Sequence, residues 1–206
     1  MVMRHATPAA VLDFWFVNAR EDVAAHAARN AVWYGGGPAF DSSVRARCAT
    51  ALERAAAGAL KHWQLSPAGT LALILLFDQV PRNIFRATPQ AFAFDLRALA
   101  LARDGVAMAI DRELTVAERM FFYLPFEHAE DRAAQVKSVA CFERLHAEAG
   151  AAFKPLTATA LQHARTHYEL IERFGRFPHR NLILDRRSRT DETAWLAAHV
   201  QPFGQA

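Results

Sequence analysis

The residues best equipped for chemistry lie in two short stretches. Phe174-Gly175-Arg176-Phe177-Pro178-His179-Arg180-Asn181 sets two guanidinium groups, an imidazole and an amide among aromatic and proline anchors. Phe77-Asp78-Gln79-Val80-Pro81-Arg82-Asn83-Ile84-Phe85-Arg86 has the same character. A planar guanidinium fork holds carboxylate or phosphate through paired hydrogen bonds. Arg176 and Arg180, with His179 and Asn181, are therefore candidates for binding a small anion. An imidazole of ordinary pKa would strengthen that binding as pH falls through about 6.5. Asp78 and Gln79 close the most apolar run of the chain, and Arg82 and Asn83 follow across Pro81. A carboxylate in such surroundings must be paired or protonated. Asp78 is then either half of an ion pair with Arg82 or Arg180 that locks a loop to the core, or part of a polar floor under a ligand.

His128 and Glu130 follow Pro125 and are candidates for an acid–base pair, as is His179 for a single acid or base. The plainer reading of Glu130 and Asp131 is a favourable interaction with the start of the next helix. His163 and His167 are spaced to share a helix face, a geometry that can chelate a metal. Leu170 and Phe174 continue that face, a third ligand is not evident and HExxH is absent, so packing is preferred and no metal is assigned. Gly35-Gly36-Gly37 has no following Lys-Ser/Thr and no preceding strand, which excludes a P-loop. No cofactor fingerprint is recognised. Ser138 and Ser188 lack the glycine flanks of a nucleophile elbow. Cys48 and Cys141 fit no metal or redox spacing and read as unpaired, structural thiols.

These groups need a scaffold. The 206 residues suit a single domain over 1–206, with 52% hydrophobic and 22% charged residues. A chain of this size buries enough surface to need no staple. Abundant alanine and sparse β-branched residues favour helix. Net charge is only +3, although the pI is about 9.2. A general nucleic-acid binder shows a stronger basic footprint. The basic residues do concentrate at Arg173, Arg176, Arg180, Arg186, Arg187 and Arg189, either as solvated and paired helix-end arginines or as an anion site. Met1-Val2-Met3-Arg4-His5-Ala6-Thr7-Pro8 has no apolar core of a secretory signal, and the longest apolar run, Leu71–Phe77, is too short to span a bilayer. A cytoplasmic protein with no membrane partner is expected; oligomeric state is left open.

Thr7-Pro8, Ser66-Pro67 and Thr88-Pro89 each pair a cap with a proline and predict helix starts. Trp33–Pro38 reads as a loop, with Asp41 capping a helix that carries Val44, Cys48 and Leu52. Leu71–Phe77 is hydrophobic all round and predicts a buried central helix ended or kinked by Pro81. The Thr88 helix should place Phe92, Leu96 and Leu99 inward and stop at Gly105. Thr115–Glu118 matches a capping box. Further helices should run from about Asp131 to Ala149, with Val139, Phe142 and Leu145 inward, and from Pro155 to about Gly175. Thr190 should cap a last helix. The sum is an all-α fold of about eight helices in antiparallel layers.

LILLFDQVPRNIFR (73–86), ERMFFYLPFEHAED (118–131) and RFGRFPHRN (173–181), with VLDFWF (11–16), resemble the signatures of a bacterial family known as domain of unknown function 924. The resemblance spans almost the whole chain and implies a tetratricopeptide-repeat-like superhelix. It implies no activity. Two departures matter. The family's His-Ser-Glu is His128-Ala129-Glu130 here, which removes a serine nucleophile. Its Leu-Gly-Arg is Leu184-Asp185-Arg186, which questions a tight glycine turn. Whether the chain is an enzyme stays open. The leading reading is a non-enzymatic helical binding module for a small anionic ligand or acidic peptide. The second is an enzyme, hydrolase-like or otherwise, using His128 or His179 with Arg176 or Arg180 on an anionic substrate. The third is a nucleic-acid-associated protein using the Arg173–Arg189 cluster.

Overall fold

The computed structural model describes residues 6–199. The Met1–His5 part of the N-terminal stretch read above lies outside them. Regular structure among the described residues is entirely helical. Nine α-helices run Pro8–Phe16 (α1), Val23–Gly35 (α2), Gly37–Ala56 (α3), Pro67–Ile84 (α4), Asp95–Ala107 (α5), Val116–Glu127 (α6), Arg132–Glu148 (α7), Lys154–Phe174 (α8) and Thr190–Ala198 (α9). Short 3₁₀ turns join several of them.

Local chemistry explains most of the starts. Thr7 accepts the Ala10 N–H at α1, and Ser66 accepts the Gly69 N–H at α4. Thr115 and Glu118 form the reciprocal capping box of α6, and Asp131 accepts the Ala134 N–H at α7. Each cap satisfies a backbone donor that the first turn leaves unpaired. Helix α4 is the centre. Every residue from Gly69 to Ile84 is buried, and α1, α3, α5 and α6 pack around it. Gly69 is required at its start, because a Cβ there would lie 2.0 Å from the Trp63 carbonyl oxygen. The chain continues outward as α6, α7 and α8 in successive contact. A second apolar cluster of Leu170, Ile171, Phe174, Phe177 and Trp195 fixes α9 and the 174–181 segment to the end of α8.

Several expectations need correction. Of the two outcomes expected at Pro81, an ending is not seen: α4 runs on to Ile84, and Pro125 likewise lies inside α6. Each removes one helical donor, and in α4 burial on all sides fixes the surrounding backbone. The glycine-rich segment is a sharp corner between two helices, so Trp33 and Tyr34 are helical. Asp41 lies within α3 and pairs Arg86 at 2.8 Å instead of capping. Thr88-Pro89 starts only a 3₁₀ turn, Pro89–Phe92, and α5 begins afresh at Asp95. That shift leaves Leu96 81% exposed. Gly105 does not stop α5; it lets the helix approach the Phe122 ring, which a Cβ would meet at 2.5 Å. Val139 is only partly buried. Thr190 is the first residue of α9 and Arg189 precedes it as the cap.

Asp185 adopts a left-handed φ of 51°. The turn is kept without glycine because Asp tolerates this region better than most residues. Cys48 and Cys141 are buried, unpaired thiols. No helix of the described residues is long and apolar enough to cross a membrane.

Candidate functional site

A cavity of about 510 Å³ opens beside α4, walled by α2, α6, α8 and the 178–180 turn. Each helix contributes one stripe at helical spacing. His26, Asn30, Trp33 and Tyr34 come from α2, and Gln79, Arg82 and Asn83 from α4. Met120, Phe121, Leu124 and Glu127 come from α6, and Leu156, Thr159, Ala160, His163 and His167 from α8. His128, His179, Arg180, Arg86, Phe92 and Phe142 complete the wall. Trp33 and Phe121, with ring centroids 4.6 Å apart, make an apolar face.

Asp78, only 1% exposed, underlies this cavity. Its Oδ1 accepts from His128 Nδ1 at 2.7 Å and faces Arg82 Nη1 at 3.2 Å. Its Oδ2 accepts from Gln79 Nε2 at 2.6 Å. Burial alone would raise the Asp78 pKa. The positive charge of Arg82 and the hydrogen bonds from His128 and Gln79 overcome burial and hold the carboxyl below its usual range. An ionised carboxylate can only accept, so His128 carries its proton on Nδ1 and presents Nε2 as a lone pair. Nε2 makes no hydrogen bond to any described residue. Burial lowers the His128 pKa more than Asp78 raises it, so the ring is neutral at pH 7. Arg82 is held twice over, donating to both oxygens of Asp95 at 2.8 and 2.9 Å and to the Asp78 carbonyl at 2.6 Å.

Arg180 is in a different position. Its guanidinium lies over Phe92 at 4.7 Å and Phe177 at 4.6 Å. The side chain is 8% exposed, and its nearest carboxylate oxygen, Asp95 Oδ2, is 3.7 Å away. It donates no hydrogen bond to a described residue. Burial, and then Arg82, lower its pKa to about 10, still charged at neutrality.

Glu127 and His167 form another buried pair, Oε1 to Nδ1 at 3.3 Å. Burial and then Asp78 push the Glu127 carboxyl up to about 8. Burial pushes His167 down to about 3, and its Nδ1 donates to the His163 carbonyl. His179 does not supply the expected charge near pH 6.5. Burial first, then Arg180, push it down to about 3, so it is a neutral wall residue. His26 is fully buried and its Nε2 has no partner among the described residues; Asn83 Oδ1 likewise has none.

The sequence candidates therefore divide. Gln79, Arg82, Asn83, His128, His179 and Arg180 meet at the cavity, with Asp78 beneath. Arg176 and Asn181 do not line it. Arg176 grips both oxygens of the buried Glu192 at 2.7 Å, and Asn181 donates to Glu192 and Ser188. Glu130 turns away from His128, accepts two bonds from Arg186 at 2.6 and 2.8 Å and one from the Phe177 N–H. The loop is thus half site and half latch. Arg176, Arg186 and Arg189 of the basic cluster all face carboxylates of their own chain.

Hydrogen exchange tests the latch. Glu192→Gln should speed amide exchange across residues 176–199 and leave α4 and α6 unchanged, because Glu192 is the acceptor shared by Arg176, Asn181 and the Arg189 N–H. Unchanged exchange in that segment would show that its apolar cluster alone holds it.

Sequence reasoning missed His26, Asn30, Glu127 and Asp95. A signal existed for the first pair: polar residues at positions 26 and 30 interrupt an alanine-rich helix one turn before Trp33. For Glu127 the signal was its place as the carboxylate that closes the apolar MFFYLPF run, directly before His128. Nothing local marks Asp95 as the partner of Arg82.

Residues 11–199 match the family model described as "Bacterial protein of unknown function (DUF924)". The chain is also similar to a solved structure, a protein of unknown function, ATU0120, from Agrobacterium tumefaciens. Identity is 36% over 93% of this chain and 97% of that one, with a TM-score of 0.77. Among curated proteins none matches. The helices that carry the three motifs are the helices that wall the cavity, and the family match runs through all of them: the chain belongs to the DUF924 family of bacterial proteins.

Proposed function

We propose that the cavity binds a small molecule through an anionic group, a phosphate or a carboxylate, placed on Arg180. The observation that carries this reading is a largely buried guanidinium that donates no hydrogen bond to a described residue and has only a 3.7 Å ion pair to Asp95. A buried cation without hydrogen bonds is costly. Asp95, the nearest carboxylate, already gives both oxygens to Arg82. Phe92 and Phe177 fix the plane of Arg180 and leave its N–H edge as the available donor set. The neutral state of Glu127 favours the anion further, since it removes one competing negative charge, while neutral His179 adds polarity to the wall and no charge. The orphaned His26 Nε2 and Asn83 Oδ1 supply further contacts for polar atoms of the ligand, and Trp33 and Phe121 accommodate an apolar body. A chamber of about 510 Å³ suits a small molecule better than an acidic peptide, which needs an open groove. On this reading the helical array serves as a tetratricopeptide-like scaffold with the cavity on its inner side.

Thermal shift with inorganic phosphate, nucleotides and dicarboxylates tests the reading. A ligand at 100 times its Kd adds about 2.7 kcal/mol, which for a chain of this size raises Tm by roughly 5–11 °C. Arg180→Gln should abolish the shift without lowering the Tm of the free protein, because it removes an unsatisfied charge. No shift with any anion, or an equal shift in the variant, would overturn the proposal.

A further inference from the structure

We infer that the cavity is catalytic: His128, aligned by Asp78, activates a water molecule that hydrolyses an ester bond in a substrate anchored by its anionic group on Arg180. This rests on the anion site proposed above and adds a reaction to it.

The alignment is the argument. A receptor needs donors for its ligand; it does not need an imidazole held at one nitrogen by a buried carboxylate and open at the other. Here Nδ1 is tied to Asp78 at 2.7 Å, and Asp78 is itself fixed by Gln79 and Arg82. That fixes both tautomer and ring orientation, the two requirements for a histidine base. The free Nε2 belongs to a residue that lines the same cavity as Arg180. Among the described residues no serine or cysteine lines that cavity, and its one threonine, Thr159, commits its hydroxyl proton to the Pro155 carbonyl and not to His128, so the nucleophile we assign is water.

The step balances with water as the only co-reactant. The water oxygen forms a bond to the ester carbonyl carbon as its proton passes to His128 Nε2. The carbonyl π pair moves onto oxygen. Collapse of the tetrahedral species restores the carbonyl and breaks the bond to the leaving oxygen, which takes the proton from Nε2. Ester and water become acid and alcohol, and His128 returns to its neutral form. Glu127 lines the same cavity, and burial pushes its carboxyl up to about 8, so it is the acid we assign as hydrogen-bond donor to the developing oxyanion. Asp78 acts through His128 and is a positioning residue.

The probes are 4-nitrophenyl hydrogen glutarate, which carries a carboxylate, and neutral 4-nitrophenyl butyrate. The wild-type protein should hydrolyse the first with at least about tenfold higher kcat/KM, the order of one buried charge-assisted contact. Arg180→Gln should erase that preference by raising KM. His128→Ala should lower kcat by about 10²–10⁴-fold, and added imidazole should restore part of the rate, which a structural role would not allow. Asp78→Asn should lower kcat while KM holds. Should His128→Ala not fold, His128→Gln takes its place with the same expected loss. Hydrolysis of neither ester above buffer, with anion thermal shifts intact, would overturn catalysis and leave the receptor standing. Undiminished rates in the His128 variants would overturn it too. Loss of the anion shifts themselves would remove both readings.

Discussion

Asp78→Ala should destabilise the protein by about 3–5 kcal/mol, the range for removing one partner of a buried ion pair. The carboxylate is 1% exposed and is the common acceptor for Arg82, Gln79 and His128. Its removal leaves the Gln79 amide and the His128 N–H buried without their acceptor. Arg82 keeps both bonds to Asp95, which holds the loss within the range for a single broken pair. Urea unfolding with an unchanged slope would measure the loss cleanly. The pH dependence has a fixed sign. The Asp78 pKa is depressed in the folded state. Its contribution is therefore complete above the unfolded value of about 3.9 and disappears as pH falls through the folded one. Asp78→Ala should lack that acid-induced component. A loss below about 0.5 kcal/mol would place Asp78 among solvated groups instead.

The same residue shows what the sequence makes legible and what it hides. An Asp at the end of an all-apolar helix has to be paired, and Arg82 at i+4 is an obvious partner. Helix starts were equally legible at Thr7-Pro8, Ser66-Pro67 and the Thr115 capping box, but not at Thr88-Pro89, which opens only a 3₁₀ turn. The errors lie where tertiary packing overrides a local signal. Pro81 read as a stop or a kink, yet α4 runs on to Ile84 because its neighbours bury every side of it. Leu96 read as core because the Thr88 start was extended into α5, when the chain turns before restarting at Asp95. Within one loop of two arginines, sequence could not tell Arg176 from Arg180. Their separation depends on Glu192 and Asp95, which approach from other elements. Likewise His128 and Glu130 are two residues apart but face different partners, one toward Asp78 and the other toward Arg186.

Glu127→Gln should stabilise the protein at pH 6 and stabilise it further at pH 8, approaching the wild type only near pH 4. Burial and the Asp78 charge raise the folded carboxyl to about 8, against about 4.3 unfolded. The folded state therefore holds more protons over that interval, and stability falls as pH rises through it. His167 acts in the opposite sense. Burial lowers it to about 3, so its neutral ring contributes stability that is complete above about 6.5 and lost below. The two windows overlap and oppose each other between about 4.3 and 6.5, and only Glu127 operates above that. His128, His179 and His26, also lowered by burial, are neutral throughout the upper window. Wild-type stability should consequently fall by about 2 kcal/mol between pH 6.5 and 8, near the limiting slope of about 1.4 kcal/mol per unit for one proton. Glutamine copies the shape and neutrality of the protonated acid, so Glu127→Gln should be flat over the same range. Equal slopes in both proteins would mean that Glu127 is already ionised at pH 6.5, with its proton on His167. That result would also remove the hydrogen-bond donor assigned to the oxyanion, while the anchoring role of Arg180, fixed by Phe92 and Phe177, would be untouched.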